Sequence, residues 1–157
     1  VQDPKRKNRS IRSKREAVED GIRTPIFLTH EGQIEARRDS TTLASNIDIA
    51  STILKACGIK VPSSMRGLDL RQPEQLQERN QVFVDVYEHD SDIDQLDDLA
   101  SGLKSRVLIN GWDKLIASPK GNRLYNLQTD PDDRNNLAEK HPEKVKRLSQ
   151  EIKNILP

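Results

Sequence analysis

Apolar residues recur along this chain with two periods, and the switch between them predicts its elements. Within residues 46–57 the spacing is three and four, at Ile47, Ala50, Ile53, Leu54 and Cys57. That spacing gathers them on one helix face and predicts that this face is the buried one. Ser45 or Asn46 can cap the helix, Asp48 suits the positive end of its dipole, and Gly58 can end it in the left-handed conformation. The same spacing returns in Val145, Leu148, Ile152 and Ile155. It predicts a closing helix from near Pro142, a favourable first-turn residue. Between the two helices the period drops to two: Val82, Val84 and Val86 alternate with Phe83, Asp85 and Tyr87, as a strand requires.

Shorter signals fill the gaps. Residues 25–29 form a brief apolar run between Pro25 and Gly32, which suits a buried strand. Residues 59–81, with Pro62, Gly67 and Pro73, read as a connector. Asn110-Gly111 sits between two apolar runs and predicts a hairpin with a type I′ turn, both residues at positive φ. Residues 124–127 add a further short strand, and residues 130–133 read as a turn. Residues 1–17 are polar and basic and read as loop; residues 90–102 are acidic and read as an exposed loop or short helix. The expected order is strand, helix, connector, then a small antiparallel sheet with a terminal helix. No internal repeat interrupts it.

Composition changes this picture in one respect. Apolar residues make up 33% of the 157 positions and charged residues 32%, against roughly 45–50% and 25% in ordinary globular chains. The five aromatics are Phe27, Phe83, Tyr87, Trp112 and Tyr125. So little core material points to partial disorder or to a piece of something larger. The net charge of +1 exerts no general pull on nucleic acid or membrane. A basic arm, residues 5–15, could bind phosphates, but it lacks interleaved aromatics and no reader motif follows. A single cysteine, Cys57, excludes an internal disulfide and a cysteine-based zinc cluster. No apolar run nears the ~20 residues that span a bilayer. The chain opens on Val1, so the lack of a leader leaves the compartment open.

Five stretches, in order, resemble the formylglycine-dependent sulfatases. Lys14, Glu19, Gly21, Ile22, Arg23 and Pro25 fit that family's Lys, four residues, Glu-Gly-Gly, aliphatic, Arg, any residue, Pro. Asp20 replaces the first glycine, and Val18 stands where an aromatic is common. Asp48, Thr52, Leu54, Gly58 and Ile59 fit the following helix, and Pro62, Met65, Gly67 and Leu70 fit the connector. Trp112, Lys114, Leu115 and Ile116 resemble an aromatic-x-Lys-Leu-Ile strand. Leu124, Tyr125, Leu127, Asp130, Pro131, Asn136 and Leu137 resemble a Leu-Tyr-Asp-Leu-x-x-Asp-Pro-x-Glu-x-x-Asn-Leu tail, with Asp133 in place of Glu. The competing reading is a generic α+β domain sharing common tripeptides.

The resemblance implies a divided fold: an α/β fragment ending an alkaline-phosphatase-like domain (residues 1–75), then a small α+β C-terminal subdomain with an antiparallel sheet and terminal helix (residues 76–157). It implies a sulfate ester substrate, such as a sulfated glycan, and a missing N-terminal portion as partner. It also implies a divalent cation, calcium, in the intact enzyme, and export to the periplasm or outside the cell. Lys14 takes the place of the lysine that contacts a sulfate oxygen, and a compact ammonium suits that task. Glu19, Gly21 and Arg23 are expected to be structural, with Arg23 paired to a carboxylate. His89, in Tyr87-Glu88-His89-Asp90, resembles a Tyr-x-His segment near the substrate entrance of some bacterial members. His30 and His141 have no partner in view.

Two essentials of the family are absent. Its nucleophile derives from Cys or Ser in Cys/Ser-x-Pro-x-Arg, and no such stretch occurs here: Cys57 precedes Gly-Ile-Lys, and Lys60 lies two before Pro62. The Asp-Asn or Asp-His metal ligands expected just before the lysine segment are missing from residues 1–13. The acidic run 90–98 lacks the glycine-centred, alternating pattern of a calcium loop. The chain is therefore expected to be inactive alone. A non-catalytic glycan- or protein-binding remnant of the same scaffold is the alternative, and a basic-arm nucleic-acid module is a third.

Overall fold

The computed structural model describes residues 16–88 and 102–155. They form two compact units: residues 25–82, and residues 16–24 with 83–155. In chain order the elements are α1 (Glu19–Ile22), α2 (Ile47–Ala56), α3 (Pro73–Gln77), β1 (Gln81–Tyr87), β2 (Leu103–Asn110), β3 (Asp113–Ala117), β4 (Arg123–Asn126) and α4 (Pro142–Ile155). Among the described residues no helix is long and apolar enough to cross a membrane.

The second unit is a small α+β domain built on one four-stranded antiparallel sheet, in the order β1-β2-β3-β4. Strand alternation gives the sheet two apolar faces. On one, Leu108, Leu115 and Leu124 stand in adjacent strands and pack on Leu148 and Ile152 of α4. The register makes this possible, since Leu115 pairs with both Leu108 and Leu124. On the other, Val86, Val107, Ile116 and Tyr125 are covered by Ala17, with Ile22 of α1 packed alongside. Burying each large apolar side chain contributes about 1.5–3 kcal/mol, and both faces draw on it.

The hairpin between β2 and β3 differs from its expected type. Asn110 pairs with Asp113, so Gly111 and Trp112 are the two loop residues. Among the described residues only Asp133 is a non-glycine at positive φ, whereas Gly111 has φ 57°. A positive φ at the first central position alone is the requirement of a type II′ turn, not type I′. Asn110 instead stays in the strand and donates from Nδ2 to Glu151 of α4 at 2.8 Å.

The tail motif around β4 has local causes. Asn136 Oδ1 accepts from the backbone N–H groups of Leu124 (3.0 Å) and Ala138 (3.1 Å). Leu137 N–H donates to the Leu124 carbonyl at 2.7 Å. Asn126 Oδ1 accepts from the N–H groups of Gln128 and Thr129, closing the turn after the strand. An aspartate would serve equally there, because the role is that of an acceptor.

The first unit inverts two expectations. Residues 25–29 form no strand, and Phe27 is 88% exposed. In α2 the apolar stripe faces solvent: Ile47 and Ile53 are more than half exposed, and Asp48, Ser51 and Thr52 are the buried side. Periodicity placed the isoleucines on a common side, but this unit supplies nothing to cover that side. The polar face is buried because the chain after Gly58 folds back across it. The helix ends as expected, with Gly58 at φ 70° and Ile59 N–H donating to the Leu54 carbonyl at 2.8 Å. The connector includes a further short helix, α3, begun by Pro73.

These packings predict opposite results for two similar truncations. Leu148→Ala should cost about 2–5 kcal/mol, because its side chain is wholly enclosed. Ile53→Ala should change the stability of this chain by under about 0.5 kcal/mol. Urea unfolding of both variants checks this; a large loss at Ile53 would mean that the stripe is covered.

Candidate functional site

The most concentrated chemistry in the second unit is a buried ionic triad. Lys114 shares the β3 face of Ile116 and is 0% exposed. Its Nζ donates to Glu19 Oε1 at 2.7 Å and to Asp133 Oδ2 at 2.9 Å. The same Asp133 oxygen accepts from the backbone N–H of Glu19 at 2.9 Å. Asp133 holds φ 48°, a left-handed conformation that aspartate tolerates better than most residues. The turn that carries it is closed by Asp133 N–H donating to the Asp130 carbonyl. Arg23 Nη1 lies 3.8 Å from Glu19 Oε2, with its own side chain largely exposed.

This arrangement holds segments in place and does not turn over substrate. Charged groups out of water are costly unless paired and hydrogen-bonded, and here both carboxylates face the same ammonium. Solvent cannot reach Lys114, so it is not available as a nucleophile or proton donor to a substrate. Three stretches that resemble the sulfatase family thus meet at one point: the segment with Glu19, the strand with Lys114 and the tail with Asp133.

A second buried pair organises the first unit. Asp48 is fully enclosed, and its carboxylate accepts from Arg79 at 2.5 and 2.7 Å, from Leu68 N–H at 2.8 Å and from Ser45 N–H at 2.8 Å. The bond to Ser45 ties the residue before the N-cap Asn46 to the first turn of α2, where the Asn46 side chain itself makes no capping bond. Thr52 Oγ1 donates to the Asp48 carbonyl and accepts from Leu70 N–H at 2.9 Å. Gly67 lets this strap approach, since a Cβ there would stand 2.2 Å from the Ile47 carbonyl oxygen. Burial pushes the Asp48 carboxyl up, but Arg79 and the two backbone N–H groups outweigh it and hold the group below its ordinary value. Beside it, the Arg71 guanidinium holds Asp69 low in the same way.

Of the residues singled out in the sequence, Lys14, His89 and the acidic run 90–98 lie outside the described residues. Glu19 and Arg23 come together, and Gly21 sits in α1, its N–H donating to the Val18 carbonyl at 2.8 Å. Lys114, Asp133 and Arg79 had no assigned role, and Asp48 was assigned only to the positive end of the helix dipole. The one available signal was Lys114 itself, a charge alternating with the apolar Ile116 on the inward side of its strand. Among the described residues no group of three or more His, Cys, Asp or Glu side chains is placed to hold a metal ion. The ligand set of a divalent cation is therefore not found in them.

A two-faced antiparallel sheet and a terminal helix form a small α+β module, and a buried triad ties the upstream segment to the sheet. The family model described as N-sulphoglucosamine sulphohydrolase, C-terminal, matches residues 9–156, and the chain belongs to that family. Arylsulfatase K of Rattus norvegicus is 25% identical over 142 residues, covering 88% of this chain and 25% of that protein. Arylsulfatase K of Xenopus laevis is 22% identical over 129 residues, covering 79% and 24%. A protein solved in complex with its substrate D-glucosamine-2-N,6-O-disulfate shares the fold at a TM-score of 0.52 and 23% identity, over 73% of this chain and 25% of that one. The chain spans about a quarter of the length of the curated relatives it matches.

Two predictions follow from the buried charges. Lys114→Met removes the ammonium that both carboxylates face and should cost about 3–5 kcal/mol. Adding Glu19→Gln and Asp133→Asn removes the two uncompensated charges, and the triple variant should recover most of that loss in chemical unfolding. Asp48 has a lowered value in the folded chain, so its stabilisation is complete above the ordinary 3.8 and drains as pH falls through the folded value. The stability gap between wild type and Asp48→Asn should therefore be constant near neutrality and close in acid. A gap that does not change with pH would contradict the pairing.

Proposed function

We propose that this chain is the C-terminal part of a longer sulfatase that hydrolyses sulfate esters of sulfated glycans. The family match over residues 9–156 carries the reading. The relatives support the substrate class: one solved protein sharing the fold has a disulfated glucosamine as its substrate, and the curated relatives are arylsulfatases by name. In this reading residues 1–75 end the catalytic α/β domain and residues 76–157 form its C-terminal subdomain. The outward-facing Ile47, Ile53 and Phe27 of the first unit are consistent with a face that the longer protein covers.

Lys14 is this chain's contribution to the sulfate pocket. Its ammonium group would stabilise negative charge on the sulfuryl oxygens as water replaces the alcohol, giving sulfate and the free hydroxyl. His89 would contact substrate near the entrance. The nucleophile and the calcium ligands would come from residues outside this chain, since its sequence carries no Cys/Ser-x-Pro-x-Arg.

The test is kinetic. The full-length protein should hydrolyse 4-methylumbelliferyl sulfate or an O- or N-sulfated glucosamine, and the 157-residue chain alone should hydrolyse none of them. Lys14→Ala in the full-length protein should lower kcat by about 10²–10³-fold, the usual cost of one preorganised donor. Binding of sulfated glycan by the full-length protein without turnover would replace this reading with that of a non-catalytic remnant.

A further inference from the structure

We propose that Asn110 is a deamidation site held latched by Glu151, and that its conversion to aspartate loosens the β2–β3 hairpin from α4. Asn110-Gly111 is the one Asn-Gly step in the chain. A following glycine leaves the attacking backbone nitrogen unshielded by a side chain and gives it the widest conformational freedom.

The reaction needs only water. The Gly111 backbone nitrogen attacks Asn110 Cγ and forms a C–N bond. The bond from Cγ to the side-chain nitrogen breaks, and that nitrogen leaves as ammonia with the former Gly111 amide proton. Water then opens the five-membered ring at either carbonyl, giving aspartate or isoaspartate. Nothing is oxidised or reduced.

The structure opposes the first step in two ways. Asn110 ends strand β2 and pairs with Asp113. An extended backbone, with ψ of about +135°, does not eclipse the Gly111 nitrogen with the Asn110 Cβ as the ring requires. The side chain is tied as well: Nδ2 donates to Glu151 Oε2 at 2.8 Å, across 41 positions of sequence. The acceptor is an ionised carboxylate with its side chain only 25% exposed, which puts this bond among the stronger ones. Ring closure swings Cγ toward the backbone and so breaks it.

The product cannot restore the latch. Aspartate has no side-chain donor at neutral pH, so a carboxylate would face the carboxylate of Glu151. The neighbouring charges are already matched: Asp113 pairs with Lys144 at 2.9 Å, and Glu151 with Arg147 at 3.4 Å. A third carboxylate there brings repulsion and no counter-charge of its own. Leu148 and Ile152 still hold α4 to the sheet, so the helix loosens and does not detach.

The test follows Asn110 by peptide mapping with mass spectrometry that separates asparagine, aspartate and isoaspartate. The full chain is incubated at mildly alkaline pH, folded and in urea, with folding checked by circular dichroism. Folded wild type should convert more slowly than the unfolded chain. Glu151→Ala should convert about tenfold faster than folded wild type, because a charge-assisted hydrogen bond no longer opposes opening. Glu151→Gln keeps an oxygen acceptor and should fall between them; it carries the comparison if the alanine variant does not fold. Wild type converting as fast folded as unfolded, or folded Glu151 variants converting no faster than wild type, would overturn the latch. The consequence is read separately. Asn110→Asp should lower the urea midpoint, and adding Glu151→Gln should restore most of the loss. An Asn110→Asp midpoint equal to that of wild type would overturn the loosening of α4.

Discussion

An ammonium group without access to water sets the terms for the second unit. Lys114 must be met by carboxylates, and the chain brings them from two places far apart in sequence, Glu19 and Asp133. Each partner then imposes its own local structure. Glu19 opens the short helix α1, and Asp133 takes a left-handed backbone at the end of a turn. The apolar clusters on either side of the sheet supply most of the cohesion, but they do not specify where the upstream segment stops along the sheet. The ion pairs do, because their distances and angles permit little freedom.

The first unit is organised the same way with different groups. Asp48 and Arg79 form a two-pronged pair that also captures the backbone at Ser45 and Leu68, and Thr52 takes the next turn of the strap. Close approach is bought with a glycine, Gly67. The outcome is a helix buried on its polar side. In a chain with 33% apolar residues this is a workable route to order, since directional bonds replace some of the missing core. The isoleucines on the opposite side remain outward, with Phe27 also exposed. Burial of polar groups is least costly when they are satisfied, and every oxygen of Asp48 is, whereas the Ser51 hydroxyl on the same face has no hydrogen-bond partner.

Both networks give the family resemblance physical content. The matched stretches are spaced irregularly along the chain, and no single one specifies a fold. Seen together they are the partners of a few contacts: Glu19 with Lys114 and Asp133, Leu124 with Asn136 and Leu137, and Asp48 with Leu68. Some motif residues are ends of hydrogen bonds whose other ends lie in a different motif, as Glu19 is with Lys114 and Asp133 and Thr52 with Leu70. That is why stretches that are weak singly become specific in combination, and why Asp133, where the family pattern has Glu, still supplies a carboxylate.

The sequence by itself determined the small sheet and its terminal helix. Val82 to Val86, the β2–β3 hairpin and the stripe from Val145 to Ile155 each show a clear period, and each finds its partner within the same unit. It also determined that residues of α2 share faces and that Gly58 ends the helix. Tertiary structure decided which face of α2 is covered, that residues 25–29 form no strand, and that the hairpin turns at Gly111-Trp112 with Asn110 kept in the strand. It alone decided that Glu19, Lys114 and Asp133 meet. The reason is common to all of these. Periodicity reports which side chains point the same way, while the identity of the surface they meet is set by contacts between residues up to 114 positions apart, which leave no local pattern.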